Sequence, residues 1–182
     1  LKRAPAPGRK VLVPPGPRPD VYRRGHLGVS LLVFAPAGAA LVLAGRPALA
    51  LVGGGVMLWL SMLPDADHRI PGLTHRGSTH TLAFAALVGA VGAGAGAGLA
   101  VVVDGGRATL VPFGFALGAG AVLAHLLADA LTPAGVPLLW PLSGRSFSLS
   151  LTRADNTVAN YLLLALGVCA TAAAALLVTR MG

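Results

Sequence analysis

Apolar residues in this chain are gathered into five runs, 27–44, 48–63, 81–103, 109–131 and 157–179, separated by stretches that carry most of the polar and charged residues. A helix that crosses hydrocarbon needs about 20 predominantly apolar residues, within a range of about 17 to 25. Three of the runs are comfortably long, the first is adequate and the second is short. Gly45-Arg46-Pro47 separates the first two and reads as a tight hairpin turn. In the third run Gly92, Gly94, Gly96 and Gly98 alternate with alanine. Small residues let helix backbones approach closely in lipid, so this run predicts a helix-packing face. The pattern predicts an all-α, polytopic membrane bundle of about five transmembrane helices.

The first 24 residues break the pattern. They hold five prolines between Pro5 and Pro17, then Pro19, together with Lys2, Arg3, Arg9, Lys10, Arg18, Arg23 and Arg24. Such a segment reads as an extended, disordered basic arm. The membrane-embedded domain is then residues 25–182.

Composition sharpens the picture. Hydrophobic residues make up 55% and charged residues 11%, well under the roughly 25% charged of soluble chains. Fourteen Lys and Arg stand against six Asp, with no Glu. Nucleic-acid binding would call for a basic stripe interleaved with aromatics, whereas these cations lie in the arm and between apolar runs, so no nucleic-acid partner is expected. Cys169 is the single cysteine, which excludes a disulfide framework and a thiolate zinc site. Positive charge near short loops marks the cytoplasmic side. With the N-terminus inside, the arm, 64–80 and 132–156 carry eleven cations against three (Arg46, Arg107 and Arg180) on the other side. The expectation is N-terminus in, C-terminus out.

All five histidines fall at that same cytoplasmic end. His26 opens the first run, His68 follows the second, His75 and His80 precede the third, and His125 lies near the end of the fourth. Asp65, Asp67 and Asp129 share that depth. The orientation came from Lys and Arg alone, so the convergence is independent of it. His125 and Asp129, four residues apart, project from one helix face. An aspartate inside a span costs about 2.5–3.5 kcal/mol on insertion scales and marks function. A lone intramembrane histidine is more often a hydrogen-bonding group than a ligand, and Arg76 alone reads as a topology anchor. Eight such groups at one depth predict a metal centre. Imidazole with carboxylate suits zinc first, with manganese or iron as alternatives. Eight candidates exceed the three or four ligands of one catalytic zinc, which leaves room for one ion or for two about 3.5–4 Å apart. The ligands expected are His26, Asp65, His68, His80, His125 and Asp129, with Asp67 and His75 as ligand, support or general base. Arg76 is placed to neutralise a phosphate oxygen, and Ser30 and Thr132 to support the ligands.

Four motifs carry a family resemblance: Gly25-His26-Leu27; Leu63-Pro64-Asp65-Ala66-Asp67-His68; His75-Arg76-Gly77-Ser78-Thr79-His80-Thr81-Leu82; and Ala124-His125-Leu126-Leu127-Ala128-Asp129. With the run Leu131-Thr132-Pro133-Ala134-Gly135-Val136-Pro137-Leu138-Leu139-Trp140-Pro141, they resemble the YdjM-like family, described as LexA-regulated, inner-membrane, metal-dependent hydrolases. The resemblance covers His26 to Pro141. It implies a membrane-bound metal hydrolase with His and Asp ligands. A more distant likeness to zinc phospholipase C and P1-type nucleases implies phosphoester chemistry. Two departures stand out. The segment 69–74 is short, and Asn156 and Asn160 occupy the start of the last run, where the resemblance leads one to expect an acidic residue.

The function expected is therefore a multi-pass hydrolase of the inner (plasma) membrane, its site facing the cytoplasm. A metal-activated water would cleave a phosphoester of an amphiphilic, lipid-like substrate drawn from the bilayer. The rivals are a metal or proton transporter and a non-catalytic regulatory scaffold.

Overall fold

The computed structural model describes residues 19–72, 74–102 and 106–181. Most of the Pro-rich arm, residues 1–18, lies outside the described residues. The sequence reading carried the arm to residue 24, yet α1 (Pro19–Leu43) already begins at Pro19. Proline suits the start of a helix, where its missing N–H has no intrahelical partner to lose. Then follow α2 (Pro47–Leu60), a 3-10 helix Pro64–Arg69, a single 3-10 turn Ser78–His80, α3 (Leu82–Leu99), α4 (Arg107–Ala130) and α5 (Thr157–Met181).

Four helices are long and apolar enough to cross a membrane, and α2 is a shorter apolar helix. Its 14 residues reach about 21 Å at 1.5 Å per residue, short of a hydrocarbon core of about 30 Å. The outer surface is what lipid requires. Among the described residues α5 buries only Asn160 and Gly167, leaving Leu162, Leu166 and Leu176 exposed.

The helices run alternately up and down. In α3 and α4 the contacts are antiparallel: a Cβ on Gly92 would run into the Gly114 carbonyl, and one on Gly96 into that of Leu110. Of the glycine stripe expected in the third run, Gly92 and Gly96 therefore make a backbone-to-backbone contact with α4, while Gly94 and Gly98 face open space. α1 and α5 are instead parallel, with Gly25 against Asn160 and Gly28 against the Leu163 carbonyl. Five traverses account for this: α1 and α5 start at one end of the bundle and finish at the other.

Central to the bundle is α4. One apolar cluster joins its Leu117, Ala121, Ala124 and Ala128 to Val29 of α1 and Met57 of α2. Another joins its Val122 and Leu126 to Ala85 of α3 and to Val136. The connection after α4 folds back over that helix's C-terminal end. Leu149 N–H donates to the Ala130 carbonyl at 2.7 Å and Leu151 N–H to that of Leu131 at 2.8 Å, satisfying acceptors that a helix end leaves open.

Candidate metal centre

His26 stands in the first turns of α1, His125 and Asp129 in the last turns of α4, and the two 3-10 segments lie between α2 and α3 at the same end. Local chemistry fixes the connecting segments. Pro64 starts the first 3-10 helix and is buried. Thr81 caps α3, accepting from Phe84 N–H at 3.0 Å while its hydroxyl donates to the Ser78 carbonyl at 2.9 Å. His80, immediately before that cap, is held fully buried. Arg76 adopts φ +57°, a left-handed conformation uncommon outside glycine and worth about 1–3 kcal/mol of strain where it occurs.

Three imidazoles have one nitrogen already committed. His125 Nδ1 lies 2.7 Å from the Ser61 carbonyl and His26 Nδ1 3.0 Å from the Tyr22 carbonyl. A carbonyl only accepts, so both Nδ1 atoms carry the proton. His80 Nδ1 meets Thr79 Oγ1 at 3.0 Å, and that hydroxyl donates to Asp67 Oδ2 at 2.9 Å. The threonine therefore accepts from His80. In all three rings Nε2 is left to face the interior, the arrangement by which outer partners set the tautomer of a ligating histidine.

Those Nε2 atoms converge with two carboxylates. His80 Nε2 and His125 Nε2 are 3.2 Å apart. Each is 3.3 Å from Asp129 Oδ2, and they are 3.6 and 3.5 Å from Asp65 Oδ1. His26 Nε2 is 3.5 Å from Asp129 Oδ1. Nitrogen and oxygen ligands about 2.0–2.1 Å from a tetrahedral ion stand about 3.3–3.4 Å apart. The two histidines thus form one edge shared by two triangular faces of that size, one completed by Asp65 and the other by Asp129. Buried polar atoms fit the same chemistry: among the described residues His26 Nε2 and Asp129 Oδ2 have no hydrogen-bond partner, a costly state unless another group engages them.

Alongside is a more open group, Asp65, Asp67, His68 and His75, whose candidate ligand atoms all lie within 4.8 Å of one another. His68 and His75 stack with ring centroids 3.7 Å apart, and His75 Nδ1 donates to Asp67 Oδ1 at 3.1 Å. Asp67 itself is buried and accepts from Thr79 and His75, with His80 Nδ1 3.4 Å away, which fits it to orient imidazoles. Asp65 belongs to both groups.

The electrostatics follow these contacts. Burial pushes the Asp65 carboxyl up, but the His125 and His80 imidazoles beside it outweigh that and hold the group well below the usual carboxylate range. Burial likewise opposes the charge on Asp67, and bonds from His75 and Thr79 again win and lower it. For His80, burial disfavours the cation, yet the Asp129 and Asp65 carboxylates beside its Nε2 raise it above the ordinary histidine value.

Arg76 is the residue whose surroundings differ most from the sequence expectation. Its guanidinium donates to Asp129 Oδ1 at 2.6 Å, to the Gly135 carbonyl at 2.9 Å and to Thr132 Oγ1 at 3.1 Å. The fork expected to meet a phosphate is engaged by protein acceptors. Ser30 is buried with its hydroxyl unpartnered among the described residues. Thr132 donates to the Asp129 carbonyl at 2.8 Å. Ser61, Tyr22 and Gly135 act through backbone carbonyls, which leave no mark in side-chain identity. Thr79 did leave one, as the only hydroxyl adjacent to His80 on its N-terminal side.

A helical membrane bundle with a buried His/Asp cluster able to hold a divalent metal is the class these observations define. The chain belongs to the YdjM inner membrane protein family, whose model matches residues 22–181. No curated protein and no solved structure matches.

Proposed function

We propose that this protein is a membrane-bound, metal-dependent hydrolase that cleaves a phosphoester of a membrane-associated substrate. The observation that carries the reading is the convergence of two imidazole Nε2 atoms, each with its Nδ1 already bonded, on Asp65 and Asp129 at ligand-to-ligand distances. Three protein ligands and an open position are what catalytic zinc sites share, whereas structural sites are closed by four. A divalent ion there, zinc before manganese or iron, would act as a Lewis acid and lower the pKa of water to about 7. His80, His125 and Asp129 or Asp65 would hold one ion, with His26 beside them. Asp65 and His68 would serve a second, which makes Asp65 the carboxylate common to both and leaves the free nitrogen of His75 beside it.

The remaining residues position and exclude. Ser61 and Tyr22 carbonyls fix the His125 and His26 tautomers. Thr79 and Asp67 aim His80. Arg76 holds Asp129 against rotation and offsets its charge. Asp67 is buried and hydrogen-bonded, so the half-exposed His75 is the better placed of the two to take a proton from an attacking water.

Orientation belongs to the same proposal: the cation count supports a site facing the cytoplasm. The site sits at the end of the bundle. The helical stretches 27–43, 47–60, 82–99, 108–124 and 158–179 contain no ionisable Asp, Glu, Lys, Arg or His, which favours an enzyme over a transporter that needs polar groups through the membrane depth. Turnover of phosphomonoesters, phosphodiesters and carboxyl esters by the purified protein, before and after chelation, tests the reading. Metal-restored phosphoester hydrolysis that His125→Ala abolishes is expected; carboxyl-ester turnover alone, or activity indifferent to chelation, contradicts it.

A further inference from the structure

A groove of about 430 Å³ opens on Asp65, lined by Arg23 of α1, Trp59 and Leu60 of α2, Met62, Leu63, Ala66 and Arg69. Asp65 is the one candidate ligand that shares a wall with it. Two arginines and an apolar face thus meet at the mouth of the metal centre. Both guanidiniums belong to exposed residues, and among residues 22–72, 74–102 and 106–181 no side chain makes a hydrogen bond or ion pair to either. Arg76, by contrast, is engaged by Asp129, Thr132 and Gly135. The planar fork of arginine suits phosphate oxygens, and here two forks face one carboxylate, leaving the groove an excess of positive charge.

We infer that this groove is the headgroup subsite for a phosphate-bearing lipid, with Arg23 and Arg69 taking the phosphate and Trp59, Leu60, Met62 and Leu63 taking the start of its hydrocarbon chain. The inference rests on the hydrolase reading for its purpose, and its binding claim stands apart from turnover. Arginines at a membrane interface are often simple topology anchors. What distinguishes this pair is that it borders one cavity with a candidate ligand and an apolar wall. Trp59 is 77% exposed, as a side chain in contact with lipid and headgroup would be. The volume falls within the roughly 300–1,000 Å³ of small-molecule sites.

The test uses Trp59 as the reporter. The chain has two tryptophans, so the Trp140→Phe protein in lipid nanodiscs reports on Trp59 alone. The probes are a non-hydrolysable phosphonate analogue of phosphatidate with brominated chains and phosphatidylcholine with the same chains. The phosphonate lipid is expected to half-quench Trp59 at a mole fraction several-fold lower than phosphatidylcholine. Arg23→Gln with Arg69→Gln should erase the difference, while Arg145→Gln, in the loop at the same end, should leave it. Equal quenching by both lipids, a preference that survives the double substitution, or one lost equally with Arg145→Gln would overturn the inference. So would displacement by inorganic phosphate at matched concentration, which would mean that the chain contributes nothing. Quenching is read without turnover, so a failure here leaves metal-dependent hydrolysis standing, and a protein that hydrolyses nothing leaves this binding standing.

Discussion

Arg76 Nη2 lies 2.6 Å from Asp129 Oδ1, while the same carboxylate's Oδ2 stands 3.3 Å from both His80 and His125. One oxygen is tied to a guanidinium and the other faces the candidate ligands. Removing one partner of a buried, hydrogen-bonded pair costs about 3–5 kcal/mol, so the pair is fixed by energy as well as by shape. Its consequence is that Arg76 would act on a bound metal through Asp129.

Arg76→Lys places a point charge where a fork reached three acceptors. Metal affinity is expected to fall by about 10–100-fold, the usual loss when a ligand's supporting partner is changed. Activity lost at limiting metal should return at saturating metal. Competition against a chromophoric chelator measures the first effect and a metal titration of turnover the second. Unchanged affinity with phosphoester turnover still depressed at saturating metal would place Arg76 on the substrate instead.

Asp65 is shared by the two ligand groups, whereas His68 belongs to one. Asp65→Asn should weaken binding at both, and His68→Ala should remove no more than one ion. Mass-spectrometric metal content of the two variants checks this. Equal stoichiometry in both would contradict the shared role of Asp65.

His80 is raised above its ordinary value of about 6.5 by the Asp129 and Asp65 carboxylates beside it. Its protonated form contributes stability that is fully present below the unfolded-state pKa and lost as pH rises through the higher folded one. A metal must displace that proton, so its affinity rises with pH over the same interval. The thermal stabilisation conferred by added metal should therefore grow between about pH 6 and 8, and binding should release protons to a weakly buffered solution. Stabilisation that shrinks over this interval would contradict the assignment of His80 as a ligand.

Much of this was legible from residue type alone, because lipid makes sequence unusually explicit. An apolar run longer than about 17 residues has few other uses, and ionisable groups stand out against it. His26, His125 and Asp129 announced themselves that way, and Gly92 and Gly96 marked a helix contact. Proline content alone extends the arm to residue 24, but α1 begins at Pro19, because proline breaks a helix interior and suits its first turn. Residue type says nothing of which acceptors surround a guanidinium, so the sequence alone offers Arg76 to a phosphate oxygen. Thr132 and the Gly135 carbonyl reach Arg76 only through the fold of the segment after α4. The groove beside Asp65 was invisible for the same reason, since Arg23 and Arg69 are far apart in sequence.

The parallel course of α1 and α5 makes orientation testable. With five traverses, a reporter fused after Gly182 lies at the end away from the metal centre. A reporter active only outside the cytoplasm is expected, from the excess of cations at the site end. Cytoplasmic activity would turn the site toward the opposite side of the membrane.

The central claim, that the His/Asp cluster is a metal centre, meets its most direct test in the metal content of the purified full-length protein. One or two divalent ions per chain are expected, lost in His125→Ala and in Asp129→Ala proteins that still insert in the membrane. A parent protein that takes up no ion after incubation with zinc, manganese or iron, or variants that both keep the full complement, would contradict it.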